Sequence, residues 1–190
     1  NTPYIHLNDD SPLSSKFNKL WEQLEFFYNH NTKIILMIGG AGGAFSQLYS
    51  NFSVYYKLLV DTINAKSFIE GVELDIEEEV NISDVKKLIR KIKDSFGSHF
   101  ILTMAPVLYS MSTDNKGLGN FVYKDLYNSA EGKLINWFNV QSYGMFTKEA
   151  YSGIISNGYP PEKIVLGMLW SDYNNDTFNN ALETIKNIKI

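Results

Sequence analysis

Glu73, Asp75 and Glu77 recur at every second residue of the 190-residue chain, alternating with Val72, Leu74 and Ile76. A period of two is that of a β-strand, so the apolar set would line one face and the carboxylates the other. Three like charges on one face resist ionising together. A protein that builds such a row uses it to raise one pKa for proton transfer or to hold a cation, and a solvated edge strand shows the same pattern. His6, His30 and His99 are scattered and none lies near this strand, so a metal bound there would have carboxylate oxygens alone. The glycines Gly39-Gly40-Ala41-Gly42-Gly43 lack the Lys-Ser/Thr of a phosphate loop and the full dinucleotide spacing, which argues against nucleotide binding.

Composition bounds the remaining classes. With 44% hydrophobic and 20% charged residues, the chain reads as one globular domain spanning 1–190. A net charge of −4 argues against nucleic acid or an anionic membrane as a main partner. No run is long enough for a membrane span and no signal-peptide pattern opens the chain. Cysteine is absent, which excludes a disulfide scaffold and thiolate catalysis. Localisation stays open: Asn51-Phe52-Ser53, Asn81-Ile82-Ser83 and Asn175-Asp176-Thr177 match the glycosylation acceptor pattern, a weak sign of secretion in an Asn-rich chain. Twelve Tyr, twelve Phe and three Trp supply a core and flat surfaces on which ligands can stack.

The elements that would position the acidic row alternate in a βαβ rhythm. Strands are expected at 4–7, 33–38, through the acidic segment 68–80, at 100–106, 135–143 and 164–169. Between them, helical stripes run through Phe17, Leu20, Trp21, Leu24 and Phe27, through Phe52, Tyr55, Tyr56, Leu59 and Ile63, and through Val85, Leu88, Ile89 and Ile92 with Ser83 as cap. Weaker helices follow at 123–130 and 148–156, and a last one is marked by Phe178, Ala181, Leu182 and Ile185. Six βα units fit a doubly wound sheet or most of a (β/α)₈ barrel. The strand ends favour the barrel, because Asn8 with Asp9, Gly39-Gly40, Asp75 with Glu77, Met104 with Pro106, Gln141 with Tyr143, and Trp170 with Asp172 would converge on one mouth.

At these residues the chain resembles glycoside hydrolase family 18, the chitinases and endo-β-N-acetylglucosaminidases. The family signature D-G-x-D-x-D-x-E aligns with Glu70-Gly71-Val72-Glu73-Leu74-Asp75-Ile76-Glu77. S-x-G-G aligns with Met37-Ile38-Gly39-Gly40, M-A-P with Met104-Ala105-Pro106, and Q-x-Y-N with Gln141-Ser142-Tyr143-Gly144. The opening Ile5-His6-Leu7-Asn8-Asp9 and the run Glu77-Glu78-Glu79 are similar to a bacterial and fungal chitinase-like branch. Four family positions differ: Glu70 and Glu73 replace Asp, Met37 replaces Ser, and Gly144 replaces Asn. The extra methylene of Glu73 is expected to push its carboxylate toward Asp75.

The resemblance implies an α/β fold, a (β/α)₈ TIM barrel that is incomplete here, with counterparts of the first and eighth strands not found. It implies a retaining hydrolase of β-1,4-linked N-acetylglucosamine in which the substrate's own N-acetyl group attacks the anomeric carbon. Glu77 would be the proton donor, Asp75 would orient the N-acetyl group, and Tyr143 would hydrogen-bond to it. Glu73, Gln141, Met104 and Trp170 are the further substrate-binding candidates, along with Gly39 and Gly40, which also read as close backbone packing. The implied partner is an oligosaccharide or polysaccharide containing N-acetylglucosamine, with no cofactor and no metal. A non-catalytic carbohydrate-binding relative is the alternative that the altered acids leave open. A chain that begins at Asn and lacks two strands is expected to be a fragment, self-associating through open barrel edges.

Overall fold

The computed structural model describes residues 2–170 together with Asn179, Glu183 and Lys186. The expected last helix and Asp172 lie outside the described residues. Five parallel strands form one sheet in chain order: β1 (Ile34–Gly39), β2 (Ile69–Asp75), β3 (Ile101–Met104), β4 (Trp137–Gln141) and β5 (Ile164–Gly167). The helices are α1 (Asn18–Asn29), α2 (Phe45–Ser50), α3 (Phe52–Asn64), α4 (Ile82–Phe96), α5 (Leu108–Ser112), α6 (Tyr123–Tyr127) and α7 (Lys148–Ser156). Sequential strands that neighbour one another through helical crossovers are the construction of a barrel wall.

One expected strand is not formed. Residues 4–7 make no ladder; Leu7 and Asp10 instead pair in an isolated antiparallel bridge around Asn8, whose φ is 57°. The segment is short, Pro3 precedes it, and Asn8-Asp9-Asp10 supplies turn chemistry at its end, so its backbone folds back on itself. Asp9, expected at the barrel mouth, instead pairs with Lys16 at 2.5 Å. The short helices α2 and α5 interrupt segments whose apolar spacing was too brief to announce them.

The core lies between the sheet and its helices. Val72, Leu74 and Ile76 of the acidic segment point outward into it, and so do Leu102, Met104, Phe138 and Val140 of the next strands, all buried. Val85, Leu88, Ile89 and Ile92 of α4 meet them with no exposed surface, the i, i+3, i+4, i+7 stripe of a helix facing a core. Each such side chain contributes roughly 1.5–3 kcal/mol of burial free energy. The cap of α4 is Asn81 rather than the expected Ser83: the Asn81 side chain accepts from the Ser83 N–H at 2.9 Å. Asn and Ser are equally good at this position, and Asn81 is the residue in extended backbone.

The inner face differs from the core face at the sheet margins. In register, Met37 of β1 lies beside Glu73 and Val165 of β5 beside Asn139, so both point inward. They are 55% and 48% exposed. Among the described residues β1 and β5 have no outer strand neighbour, which leaves the barrel interior open along one side.

Candidate active site

β2 delivers the acids and its neighbours hold them. Asp75, the last residue of the strand, stands opposite Gly39 in the β1 register. A Cβ on Gly39 would fall 2.2 Å from the Asp75 carbonyl oxygen, and its φ of 100° is left-handed, so only glycine fits this close approach. The next residue, Gly40, donates its N–H to that same carbonyl at 2.9 Å. The double glycine thus locks the end of β1 onto the backbone of Asp75, which accounts for both residues through packing.

The Asp75 side chain faces inward and is only 7% exposed. Gln141, at the end of β4, places its Nε2 2.9 Å from Asp75 Oδ1, 3.1 Å from Glu77 Oε1 and 2.9 Å from the Ala105 carbonyl. Two amide hydrogens therefore serve three acceptors, and one of them is shared. This single amide joins the two carboxylates. Burial pushes the Asp75 pKa up to about 6, the charges of Glu77 and Glu73 push the same way, and the Gln141 hydrogen bond opposes them. The acidic row therefore contains a carboxyl group that keeps its proton far above the usual aspartate range. Among the described residues no group of three or more His, Cys, Asp or Glu side chains is arranged to hold a metal ion.

Glu73 lies one inward position earlier on β2. Its Oε1 accepts from Thr103 Oγ1 of β3 at 3.2 Å and from Asn139 Nδ2 of β4. The longer side chain is thus turned sideways onto two neighbouring strands, while its charge still acts on Asp75. Thr103 and Asn139 were missed in the sequence, although each is an inward position of its strand, and Asn139 stands two residues before Gln141. Glu70 plays no part here: its carboxylate pairs with Lys33 at 2.5 Å, near the start of the strands.

Tyr143 follows β4 and is half exposed; burial, then the charges of Asp75, Glu77 and Glu73, raise its pKa, so its hydroxyl stays a neutral donor. Gly144 beside it has φ 68°, a region that Gly and Asn enter most readily, so the exchange from Asn preserves the turn. Trp170 lies past the end of β5 and is 84% exposed. Met104 departs from expectation. It pairs with Leu74 and Phe138 in register and has no exposed surface, so it faces the helices and not the mouth. Strand alternation dictates this, since Thr103 takes the inward position.

The sequence profile of "Glycosyl hydrolases family 18" matches residues 2–187. The chain belongs to this family. Among solved structures it is similar to a fungal endo-beta-N-acetylglucosaminidase of glycosyl hydrolase family 18, at 28% identity and a TM-score of 0.84, over 97% of this chain and 69% of that one. A chitinase from Aspergillus fumigatus matches at 28% identity and a TM-score of 0.78, over 84% of this chain and 59% of its own length. No curated protein sequence is significantly similar to the chain. The family-18 architecture explains why the five strands curve as part of a barrel rather than an open doubly wound sheet.

Proposed function

We propose that this family-18 chain is a retaining glycoside hydrolase that cleaves β-1,4-linked N-acetylglucosamine, as in chitin or chitooligosaccharides, by substrate-assisted catalysis. The observation that carries this reading is the Gln141 amide joining Asp75 and Glu77, with a proton held on Asp75 up to about pH 6. One protein acid must reach the glycosidic oxygen; the N-acetyl carbonyl of the sugar supplies the nucleophile.

In this mechanism Glu77 donates its proton to the leaving oxygen as the N-acetyl carbonyl oxygen attacks the anomeric carbon. The leaving-group bond breaks and an oxazolinium forms. Asp75 orients and stabilises the N-acetyl group, and the Tyr143 hydroxyl donates to it. Glu77, now ionised, takes a proton from the incoming water, and the product retains its configuration. The similar solved structures, named as an endo-beta-N-acetylglucosaminidase and a chitinase, support a substrate containing N-acetylglucosamine. A second reading, a carbohydrate-binding relative without turnover, is favoured by one feature: the barrel interior is open beside Met37 and Val165.

Release of the fluorophore from a fluorogenic chitotrioside separates the two readings. Turnover, with inhibition by a thiazoline analogue of N-acetylglucosamine that mimics the oxazolinium, is the expected result. Binding without turnover would leave the second reading. Turnover insensitive to the thiazoline, with covalent trapping by a fluorosugar, would replace the substrate-assisted step by a protein nucleophile.

A further inference from the structure

Glu77, Glu78 and Glu79 are consecutive, yet their carboxylates go three ways. Glu77 Oε1 faces Gln141 Nε2 at 3.1 Å in the mouth. Glu79 Oε1 accepts from Asn120 Nδ2 at 2.6 Å, toward the loop that follows α5. Glu78 turns to the other side, onto the loop that follows β1. There its Oε1 accepts from the backbone N–H groups of Ala44 and Phe45, both at 2.5 Å, and its Oε2 from the Ser46 N–H at 3.2 Å and from the Ser46 hydroxyl. Four donors converge on one carboxylate.

The backbone here has little else to hold it. β2 ends at Asp75, and among the described residues no backbone–backbone hydrogen bond anchors Ile76, Glu77, Glu78 or Glu79; the next such anchor is the Val80 N–H on the Gly119 carbonyl at 3.1 Å. Ile76 is fixed by its buried side chain. Glu77 is therefore set between one neighbour buried in the core and another clamped to the β1 loop. A displacement of the backbone at 77–78 would carry the Glu77 carboxyl away from Gln141, which it now faces at 3.1 Å.

We propose that Glu78 is a positioning residue for Glu77: by clamping the loop at 44–46 it fixes the backbone that aims the Glu77 carboxyl at Gln141 and Asp75. This rests on the hydrolase reading for its catalytic consequence, though not for its geometry. A carboxylate is the group the clamp requires, since all four partners donate. Burial would raise the Glu78 pKa, but the hydrogen bonds from the Ser46 hydroxyl and from the three backbone N–H groups outweigh it and hold it below the usual range. Gly43 leaves the room: a Cβ there would lie 3.1 Å from Glu78 Oε1.

The test compares Glu78→Gln and Ser46→Ala with the natural chain. In Glu78→Gln an amide NH₂ faces N–H donors, and a shift of the acid by about 1 Å predicts a kcat roughly 10- to 100-fold lower on the chitotrioside, with KM within about 3-fold. Ser46→Ala, which removes part of the clamp, predicts a kcat lower by about 2- to 5-fold, and it carries the comparison should Glu78→Gln melt below the assay temperature. Carboxyl ¹³C NMR of Asp75 reads the geometry without turnover. Because the Glu77 charge helps raise Asp75, displacing Glu77 lowers the Asp75 midpoint from about 6 toward the ordinary aspartate range. An unmoved midpoint with kcat within twofold of the natural chain would overturn the assignment. Should the natural chain show no turnover, the hydrolase reading falls, and the Asp75 midpoint alone decides whether Glu78 positions Glu77.

Discussion

Asp75 and Glu78 are both carboxylates at the barrel mouth, three positions apart, and their environments drive them in opposite directions. Asp75 is buried beside two further acids with one amide to balance them, and its pKa rises to about 6. Glu78 is half-buried as well, yet four N–H and O–H donors surround it and its pKa falls. Burial raises both. What separates them is the number of donors aimed at the charge and the sign of the neighbours. The end of β2 and the segment after it thus carry a proton-holding group and a clamp whose donors favour its charge, built from the same side-chain chemistry.

Replacing the proton donor between them should give the largest effect. Glu77→Gln keeps the shape of the side chain but cannot give up a proton in this role, so turnover is expected to fall by at least about 10²–10⁴-fold. Oligosaccharide affinity, measured calorimetrically, is expected to stay within a few-fold. A variant that retains near-normal turnover would remove Glu77 from its role.

Asp75→Asn sharpens the contrast through pH. In the wild type, kcat is expected to fall as pH rises through about 6, as Asp75 gives up its proton. In Asp75→Asn turnover drops and that limb is lost. Stability moves the other way. The folded Asp75 pKa lies above the aspartate reference of 3.8, so the folded state binds more protons between pH 3.8 and about 6, and stability falls as pH rises through that window. Removing the charge should therefore stabilise the chain at pH 7 by on the order of 1–2 kcal/mol, seen as a higher melting temperature. A variant no more stable than wild type at pH 7, and equally stable at pH 4, would show that Asp75 is not strained by its burial.

The smallest effect belongs to Glu79. Its bond to Asn120 lies at an exposed position and is one contact rather than four. Glu79→Gln is expected to change kcat by less than about 3-fold and stability by less than about 0.5 kcal/mol. A loss as large as that of Glu78→Gln would mean that bracing is shared equally by the two flanking loops.

Much of this was legible in the chain because it rests on local periodicity. Alternation at 72–77 placed Glu73, Asp75 and Glu77 on one face and Val72, Leu74 and Ile76 on the other; the structure keeps that division as far as Asp75, where β2 ends, and it is Gln141 that holds Glu77 beside Asp75. The α4 stripe at Val85, Leu88, Ile89 and Ile92 is buried as a set for the same reason. Gly39 and Gly40 could be read as packing residues, since a double glycine after a strand marks a close backbone approach. Where the chain misled, the local signal had no tertiary partner to satisfy it. Residues 4–7 alternate like a strand but close on themselves through Asn8. Met104 stands at a strand end like its neighbours, but its parity turns it into the core.

By itself, then, the sequence determined which residues are acids, which faces they share and how strands and helices alternate, because side-chain direction follows from spacing along a single element. Only the tertiary structure decided what each acid does. Glu77, Glu78 and Glu79 are identical in type and adjacent in order, and alternation sets only Glu78 apart from the other two. Their separate fates depend on Gln141 from β4, the loop after β1 and Asn120 beyond α5, donors brought from up to 64 residues away. A carboxylate's charge state and position answer to the groups around it in space, and those are known only once the strands lie side by side.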